Sequence, residues 1–200
     1  YSNWELLITD DCSKDDTINI IKKFQEIDNR IQLFSTGKNS GAAAARNISL
    51  QNATGKYIAF LDSDDTWISN KLETQIKFMK KNNIAFSFSN YSVMKEDGTP
   101  TGNIIHAPKV IGYHGYLRNT IIGCLTVIID KEKTGSFMMP NIKSSHDMAL
   151  WLLIMKRGFK AYGLQKTLAN YRLVSTSNTA KKWKAAKDVW KVYREIEHIN

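Results

Sequence analysis

Cysteine is scarce in this chain of 200 residues, occurring only as Cys12 and Cys124. Two isolated thiols make neither a disulfide framework nor a zinc-binding spacing, and they suit a reducing cytoplasm. Long hydrophobic runs are missing too: no apolar stretch approaches the ~20 residues that cross a bilayer, and no secretory leader pattern opens the sequence. Internal repeats and low-complexity tracts are absent, which excludes solenoid and linker-like architectures. Acidic residues are in deficit, 19 against 28 Lys and Arg, for a net charge of +9. Such a balance suits nucleic acid, an anionic membrane surface, or a phosphorylated ligand. What remains is 42% hydrophobic and 24% charged, the composition of one globular domain large enough for a real core. The chain begins at Tyr1-Ser2-Asn3-Trp4 without an initiator Met, directly before a strand, and reads as a fragment whose natural N-terminus lies upstream.

The most informative stretch is Tyr57-Ile58-Ala59-Phe60-Leu61-Asp62-Ser63-Asp64-Asp65. Its apolar run has the length of a strand buried on both faces, and it leads straight into carboxylates. Ligands of open parallel sheets bind beyond the carboxyl ends of the strands. Clustered carboxylates repel one another unless a cation joins them, so the pattern predicts a divalent metal holding a phosphate. A second strand, Glu5 to Thr9, ends in Asp10-Asp11. Parallel strands put their carboxyl ends on one edge, so both acid clusters are expected to share one pocket. For Asp10 and Asp11 alone, capping of the next helix is the simpler reading.

The remaining pattern predicts an α/β order. A helical stripe of Ile18, Ile21, Phe24 and Ile27 follows Ser13 and Asp16. Ile31–Phe34 reads as a strand, Thr36–Gly41 as a loop, and Ala42–Gln51 as an Ala-rich helix carrying Arg46. With Tyr57–Leu61 this makes strand, helix, strand, helix, strand, the order of a parallel sheet with right-handed crossovers. Further on, Trp67–Asn82 reads as a helix, Ile84–Val93 as a strand, Thr99–Gly115 as loop, and Leu125–Ile129 as a strand. Ser144 or Ser145 caps a helix from His146 to Arg157, stopped by Gly158. A basic helix fills much of Ala180–His198. Trp151 reads as core, and His106 and His114 as exposed loop residues without a role.

Three segments in this order resemble family 2 glycosyltransferases over Tyr1 to about Arg172: Trp4–Asp15, Asn39-Ser40-Gly41 with Ala45-Arg46-Asn47, and Gly55–Asp65. The resemblance implies a GT-A fold with a mostly parallel sheet flanked by helices. It divides the chain into a glycosyltransferase domain at 1–172 and a basic tail at 173–200. Within that domain the nucleotide-sugar half spans 1–98 and the acceptor half 99–172. It also implies a further strand and helix before Tyr1, and hence weak or absent catalysis by these 200 residues alone. By resemblance, Asp11, with Asp10 beside it, accepts a hydrogen bond from a uracil base. Asp64, with Asp62, holds Mn2+ or Mg2+ against the diphosphate of a UDP-sugar. Gly41 shapes the second motif, and Lys38 and Arg46 add positive charge near the phosphates, against the plainer reading of a solvated lysine and a helix-surface arginine. Arg172, in the closing Tyr171-Arg172 pair, helps close the donor site, with a surface ion pair as the rival.

Ser144–Trp151 resembles the family's acidic dipeptide before a Trp-containing helix, which implies Asp147 as the catalytic base, against the plainer reading of a carboxylate that only caps its helix. A carboxylate in the first turn of a helix is stabilised as the anion and is ready to take a proton near pH 7. His146 stands where many relatives carry Glu or Gln. In the tail, Trp183, Ala186, Trp190 and Tyr193 recur at helical spacing, with Lys181, Lys182, Lys184, Lys187 and Lys191 on other faces. That pattern fits either an interfacial helix at anionic lipid or a helix docking its aromatics on the domain.

The expected function is metal-dependent, inverting transfer from a UDP-sugar to a hydroxyl of a growing bacterial surface glycan of the capsule, lipopolysaccharide or teichuronic type. The acceptor fits a lipid-linked glycan, and the setting is the cytoplasm, peripheral at the inner face of the plasma membrane. The rivals are a sugar-nucleotide nucleotidyltransferase, which needs a Gly-rich basic loop not found here, a nucleic-acid-binding protein suggested by charge alone, and an inactive fragment. Nucleic-acid binding gives no reason for Asp62-Ser63-Asp64, so no nucleic-acid partner is expected.

Overall fold

The computed structural model describes residues 1–174 and 182–199, with side chains in the last stretch from residue 187 onward. The chain divides into two compact units, Tyr1–Gly55 with Met138–His146, and Lys56–Phe137 with Asp147–Asn200.

In the first unit, β1 (Leu6–Asp10) and β2 (Ile31–Ser35) pair in parallel, with Leu6 opposite Ile31 and Asp10 opposite Ser35. The crossover between them is helix α1 (Thr17–Ile27), and α2 (Ala42–Asn52) follows β2. Only part of the α1 stripe is covered: Ile21 is buried, whereas Phe24 and Ile27 are exposed. The Glu5 carboxylate accepts from the Thr54 and Gly55 amides and so ties the end of α2 to the start of β1.

In the second unit the sheet order is β3-β8-β5-β9-β4, with β6 beside β5 and β7 beside β9. The strands are β3 (Tyr57–Ala59), β4 (Thr66–Trp67), β5 (Phe86–Met94), β6 (Pro100–Ile105), β7 (Val110–Ile111), β8 (Ile128–Asp130) and β9 (Ala161–Arg172). The reversed strand β8 pairs antiparallel with β3 and β5, and β5 pairs parallel with β9. Hence β3, β5 and β9 run in one direction, with their carboxyl ends on one edge. The helices are α3 (Lys71–Lys81), α4 (Tyr113–Arg118), α5 (Lys131–Thr134), α6 (His146–Lys156) and α7 (Lys182–Lys191), the last followed by a π-helical turn at Val192–Ile196. Helix α3 is set up by its charges, with Glu73 in the first turn and Lys80 and Lys81 in the last, matching the helix dipole. Helix α6 is apolar nearly all round and is the core element: Ala149, Leu150, Trp151, Leu152 and Ile154 are fully buried. The Trp151 ring packs 5.6 Å from Phe60 and 5.4 Å from Phe86. Truncating such a buried aromatic costs about 3–5 kcal/mol.

The α/β class and the helix-flanked sheet are as expected, but the strand partners are not. The pattern placed β3 in one parallel sheet with β1 and β2; β3 instead pairs with β8, some 70 residues later. A strand–helix–strand order predicts crossovers, but it says nothing about which distant strand competes for a free edge. Three local readings also change. Residues 66–70 form a short strand and turn ahead of α3, the loop-like stretch after residue 99 holds β6 and β7, and residues 124–126 form a 3-10 turn before β8.

Candidate active site

The first unit carries the expected nucleotide residues. Asp10 is buried at the end of β1, and its carboxylate accepts from the amides of Cys12 and Ser13, closing a turn in which Cys12 has φ +69°. Asp11 faces the 36–41 loop. Its Oδ1 accepts from Thr36 Oγ1 at 2.7 Å and the Ser40 amide at 2.8 Å, and its Oδ2 accepts from the Gly41 amide at 2.8 Å. Desolvation alone would raise this carboxyl, but the bonds from Ser40, Thr36 and Gly41 outweigh it and hold Asp11 below its ordinary range. Gly41 takes φ +87°, a conformation that glycine adopts without cost, immediately before α2. Lys38 is exposed on the same loop. Arg46, on α2, does not lie as a bare helix-surface arginine: its Nη1 hydrogen-bonds Nε2 of the buried His146. An imidazole nitrogen that accepts from a guanidinium is unprotonated.

The second unit carries the carboxylate cluster. Asp62 and Asp64 follow β3 at the carboxyl edge of the sheet, Asp62 half-buried and Asp64 exposed. Asp65 is buried, and its Oδ1 accepts the Arg172 amide at 2.8 Å. Burial, and then the charges of Asp64 and Asp62, push the Asp65 carboxyl up to about 6 against the opposing Arg172 amide bond. Arg172, at the end of β9, turns its guanidinium onto main chain: Nε donates to the Asp64 carbonyl at 2.7 Å and Nη1 to the Glu96 carbonyl at 2.9 Å. It thereby fixes the backbone on which the Asp64 side chain stands.

The donor set of Asp62 and Asp64 is hard oxygen, which suits Mg2+ or Mn2+, and the mutual repulsion of these acids is what a cation relieves. Among the described residues no group of three His, Cys, Asp or Glu side chains could hold a metal by itself. Two carboxylates fit a cation whose remaining ligands come from a bound phosphate and water.

Asp147 is the second residue of α6, in the turn whose N–H groups lack intrahelical partners. The residue before the helix, Ser145, has φ +57°. Near Asp147 lies the buried phenol of Tyr116, on α4. It is held well above its ordinary value first by burial, then by the charge of Asp147, then by Cys124 and Tyr193. Sequence reasoning passed over Asp65, Thr36, and the group Trp67, Lys71 and Gln75. The available signal was Asp65-Thr66-Trp67 running on from the acids.

In the tail, Tyr193 donates to the Leu117 carbonyl and Val192 is buried, so this part docks on the domain. Trp190 stays exposed, with Lys187 and Lys191 around it. Lys181 and the side chains of Lys182, Trp183, Lys184 and Ala186 lie outside the described residues. No described helix is long and apolar enough to cross a membrane.

Residues 1–139 match the family Glycosyl transferase family 2. The chain is 52% identical over its full length to TuaG of Bacillus subtilis (strain 168), whose name assigns it to glycosyl transfer in teichuronic acid biosynthesis, and spans 79% of that protein. It is 42% identical over 193 residues, 96% of the chain and 74% of the relative, to the Escherichia coli UDP-Glc:alpha-D-GlcNAc-diphosphoundecaprenol beta-1,3-glucosyltransferase WfgD. Among solved structures, S. aureus TarS 1–349 in complex with UDP superposes with a TM-score of 0.68 at 19% identity, over 86% of this chain and 52% of that one. Mannosyltransferase PcManGT from Pyrobaculum calidifontis, in complex with GDP-Man and Mn2+, superposes with a TM-score of 0.69 at 14% identity, over 98% of this chain and 55% of that one. This chain therefore spans about half the length of these solved chains, which share its GT-A fold. It belongs to glycosyl transferase family 2 and is a glycosyltransferase.

Proposed function

We propose that this chain transfers a sugar, with inversion, from a UDP-sugar to a hydroxyl of a growing bacterial surface glycan carried on a lipid diphosphate. The observation that carries the reading is the Asp62–Asp64 pair, held out at the carboxyl end of β3 by Arg172. The names of TuaG and WfgD supply the glycan class, the UDP-linked donor and the lipid-diphosphate acceptor.

Asp62 and Asp64 would hold a divalent ion, Mn2+ or Mg2+, which when bound stabilises the negative charge of the departing diphosphate. Asp11 keeps one unused lone-pair direction on Oδ2, where an N–H of the uracil base can donate. Lys38 and Arg46 add positive charge near the phosphates. Asp147 takes the proton of the acceptor hydroxyl as its oxygen bonds to the anomeric carbon and the bond to UDP breaks. One displacement inverts that carbon. The exposed Trp190 between Lys187 and Lys191 is suited to the headgroup layer of an anionic membrane, bringing the enzyme to the cytoplasmic face where a lipid-linked acceptor resides.

The test is calorimetry with a panel of nucleoside diphosphates, with and without Mn2+. Metal-dependent UDP binding that disappears in Asp64→Ala supports the reading; binding indifferent to both metal and Asp64 refutes it. For the base, Asp147→Asn in the full-length enzyme is expected to abolish transfer while leaving donor binding intact.

A further inference from the structure

Among the described residues Lys71 is the largest charged-type side chain fully inside the second unit, and none of them is a carboxylate paired with it. Its Nζ donates to Gln75 Oε1 at 2.7 Å and to the Thr126 carbonyl at 3.1 Å, with the Trp67 ring 5.2 Å away. Gln75 donates to the same Thr126 carbonyl at 2.9 Å and to Ser87 Oγ at 2.9 Å. Trp67 Nε1 donates to the neighbouring Leu125 carbonyl at 2.8 Å. Three side chains thus converge on two consecutive carbonyls of the Gly123–Thr126 turn. A buried amine is a costly way to satisfy a carbonyl that Gln75 already reaches, so packing alone does not explain it.

The turn has a functional address. It leads into β8, whose first residue, Ile128, lies opposite Ala59 and Ser87, so the turn lies just beyond the carboxyl end of β3, which runs on into Asp62–Asp65. On its other side Tyr91 closes in: a Cβ at Gly123 would sit 3.3 Å from that ring. Cys124, in the turn, and Asp147 both act electrostatically on the same buried Tyr116 phenol. The turn and the group proposed as the base thus share one neighbour, the Tyr116 phenol.

We propose that Lys71, together with Trp67, is a positioning residue that holds the Gly123–Thr126 turn closed as the acceptor-side wall beside Asp147. The clamp stands on the geometry alone; its assignment to the acceptor side rests on the proposed role of Asp147.

Cys124 reports on the turn directly, since its thiol is buried when the turn is closed. In a Cys12→Ser background, labelling of Cys124 by a chromogenic disulfide reagent is expected to quicken about tenfold in Lys71→Met, the effect of losing one ordinary hydrogen bond. Trp67→Phe is expected to act in the same direction. Global unfolding of Lys71→Met should not weaken, so faster labelling reports opening of the turn and not loss of global stability. Affinity for UDP with Mn2+ should stay within twofold of wild type. An unchanged labelling rate, or one that rises only with global destabilisation, overturns the clamp. UDP affinity that falls together with turn opening overturns the acceptor-side assignment. The labelling needs no nucleotide, so it decides the clamp even if the proposed donor reading fails.

Discussion

Lys71→Met also makes a thermodynamic prediction that can be worked from the structure. Burial brings the Lys71 amine from 10.5 down to about 7. The unfolded chain therefore binds a proton between pH 7 and 10 that the native state does not, and stability rises with pH across that window. At about 1.4 kcal/mol for each pKa unit, the shift costs the native state on the order of 5 kcal/mol near pH 7. The side chain is fully buried, so solvent does not screen this cost. Methionine removes it and gives up the bonds to Gln75 Oε1 and the Thr126 carbonyl, each worth about 1–1.5 kcal/mol. The variant should thus be more stable than wild type by about 2 kcal/mol at pH 7. Urea unfolding at pH 7, 8, 9 and 10 should show the wild type gaining on the variant by about 1.4 kcal/mol per pH unit and overtaking it by pH 10. Parallel profiles from pH 7 to 10, or a variant weaker at pH 7, would refute the reasoning.

Three further outcomes are expected. Asp11→Asn puts an amide or a lone acceptor where Thr36, Ser40 and Gly41 all donate, so the 36–41 loop should loosen by about 1.5–3 kcal/mol, read as faster hydrogen exchange of the Ser40 and Gly41 amides. Because the Asp11 pKa is lowered on folding, its contribution is present above the ordinary carboxylate range and is lost as pH falls through the folded value, so the protection factors of the wild-type loop, referred to intrinsic exchange at each pH, should fall in acid while those of Asp11→Asn stay flat. His146→Glu offers Arg46 a charged acceptor and should keep both the thermal midpoint and nucleotide binding, whereas His146→Phe leaves the guanidinium without this acceptor and should cost about 1–3 kcal/mol. Gly163→Ala would put a Cβ 2.0 Å from the Pro108 carbonyl oxygen and 2.9 Å from Ala107 Cβ, so β9 or residues 107–108 must move; a loss above about 3 kcal/mol is expected, and a midpoint within a few degrees of wild type would contradict it.

Much of the fold was legible because it rests on local pattern. The apolar α6 with Trp151 at its centre, the acids after β3, and the helices α1 and α2 follow from periodicity and composition. Strand β9 carried no such signal: exposed Lys166 and Gln165 interrupt it, and its pairing with β5 shifts register between Ser89 and Tyr91. Strands β6 and β7 look like loop in the sequence because Pro100, Gly102 and Pro108 are loop residues by propensity, and edge strands tolerate them. Phe24 and Ile27 fit the helical stripe yet stay exposed, since periodicity fixes a face and not what covers it.

By itself the sequence determined the family and the acids at strand ends, because those depend on residue types at short spacing. Which group each acid meets was decided only by tertiary structure. Asp10 closes its own turn and Asp11 grips the 36–41 loop. Asp65, one residue past the exposed Asp64, is buried under Arg172 from more than a hundred residues away. Lys71, an ordinary lysine at the start of a helix by sequence, became a strongly perturbed amine because folding removed its water and set two carbonyl-type oxygens around it. Desolvation and long-range hydrogen bonds are properties of packing, and no spacing along the chain encodes them.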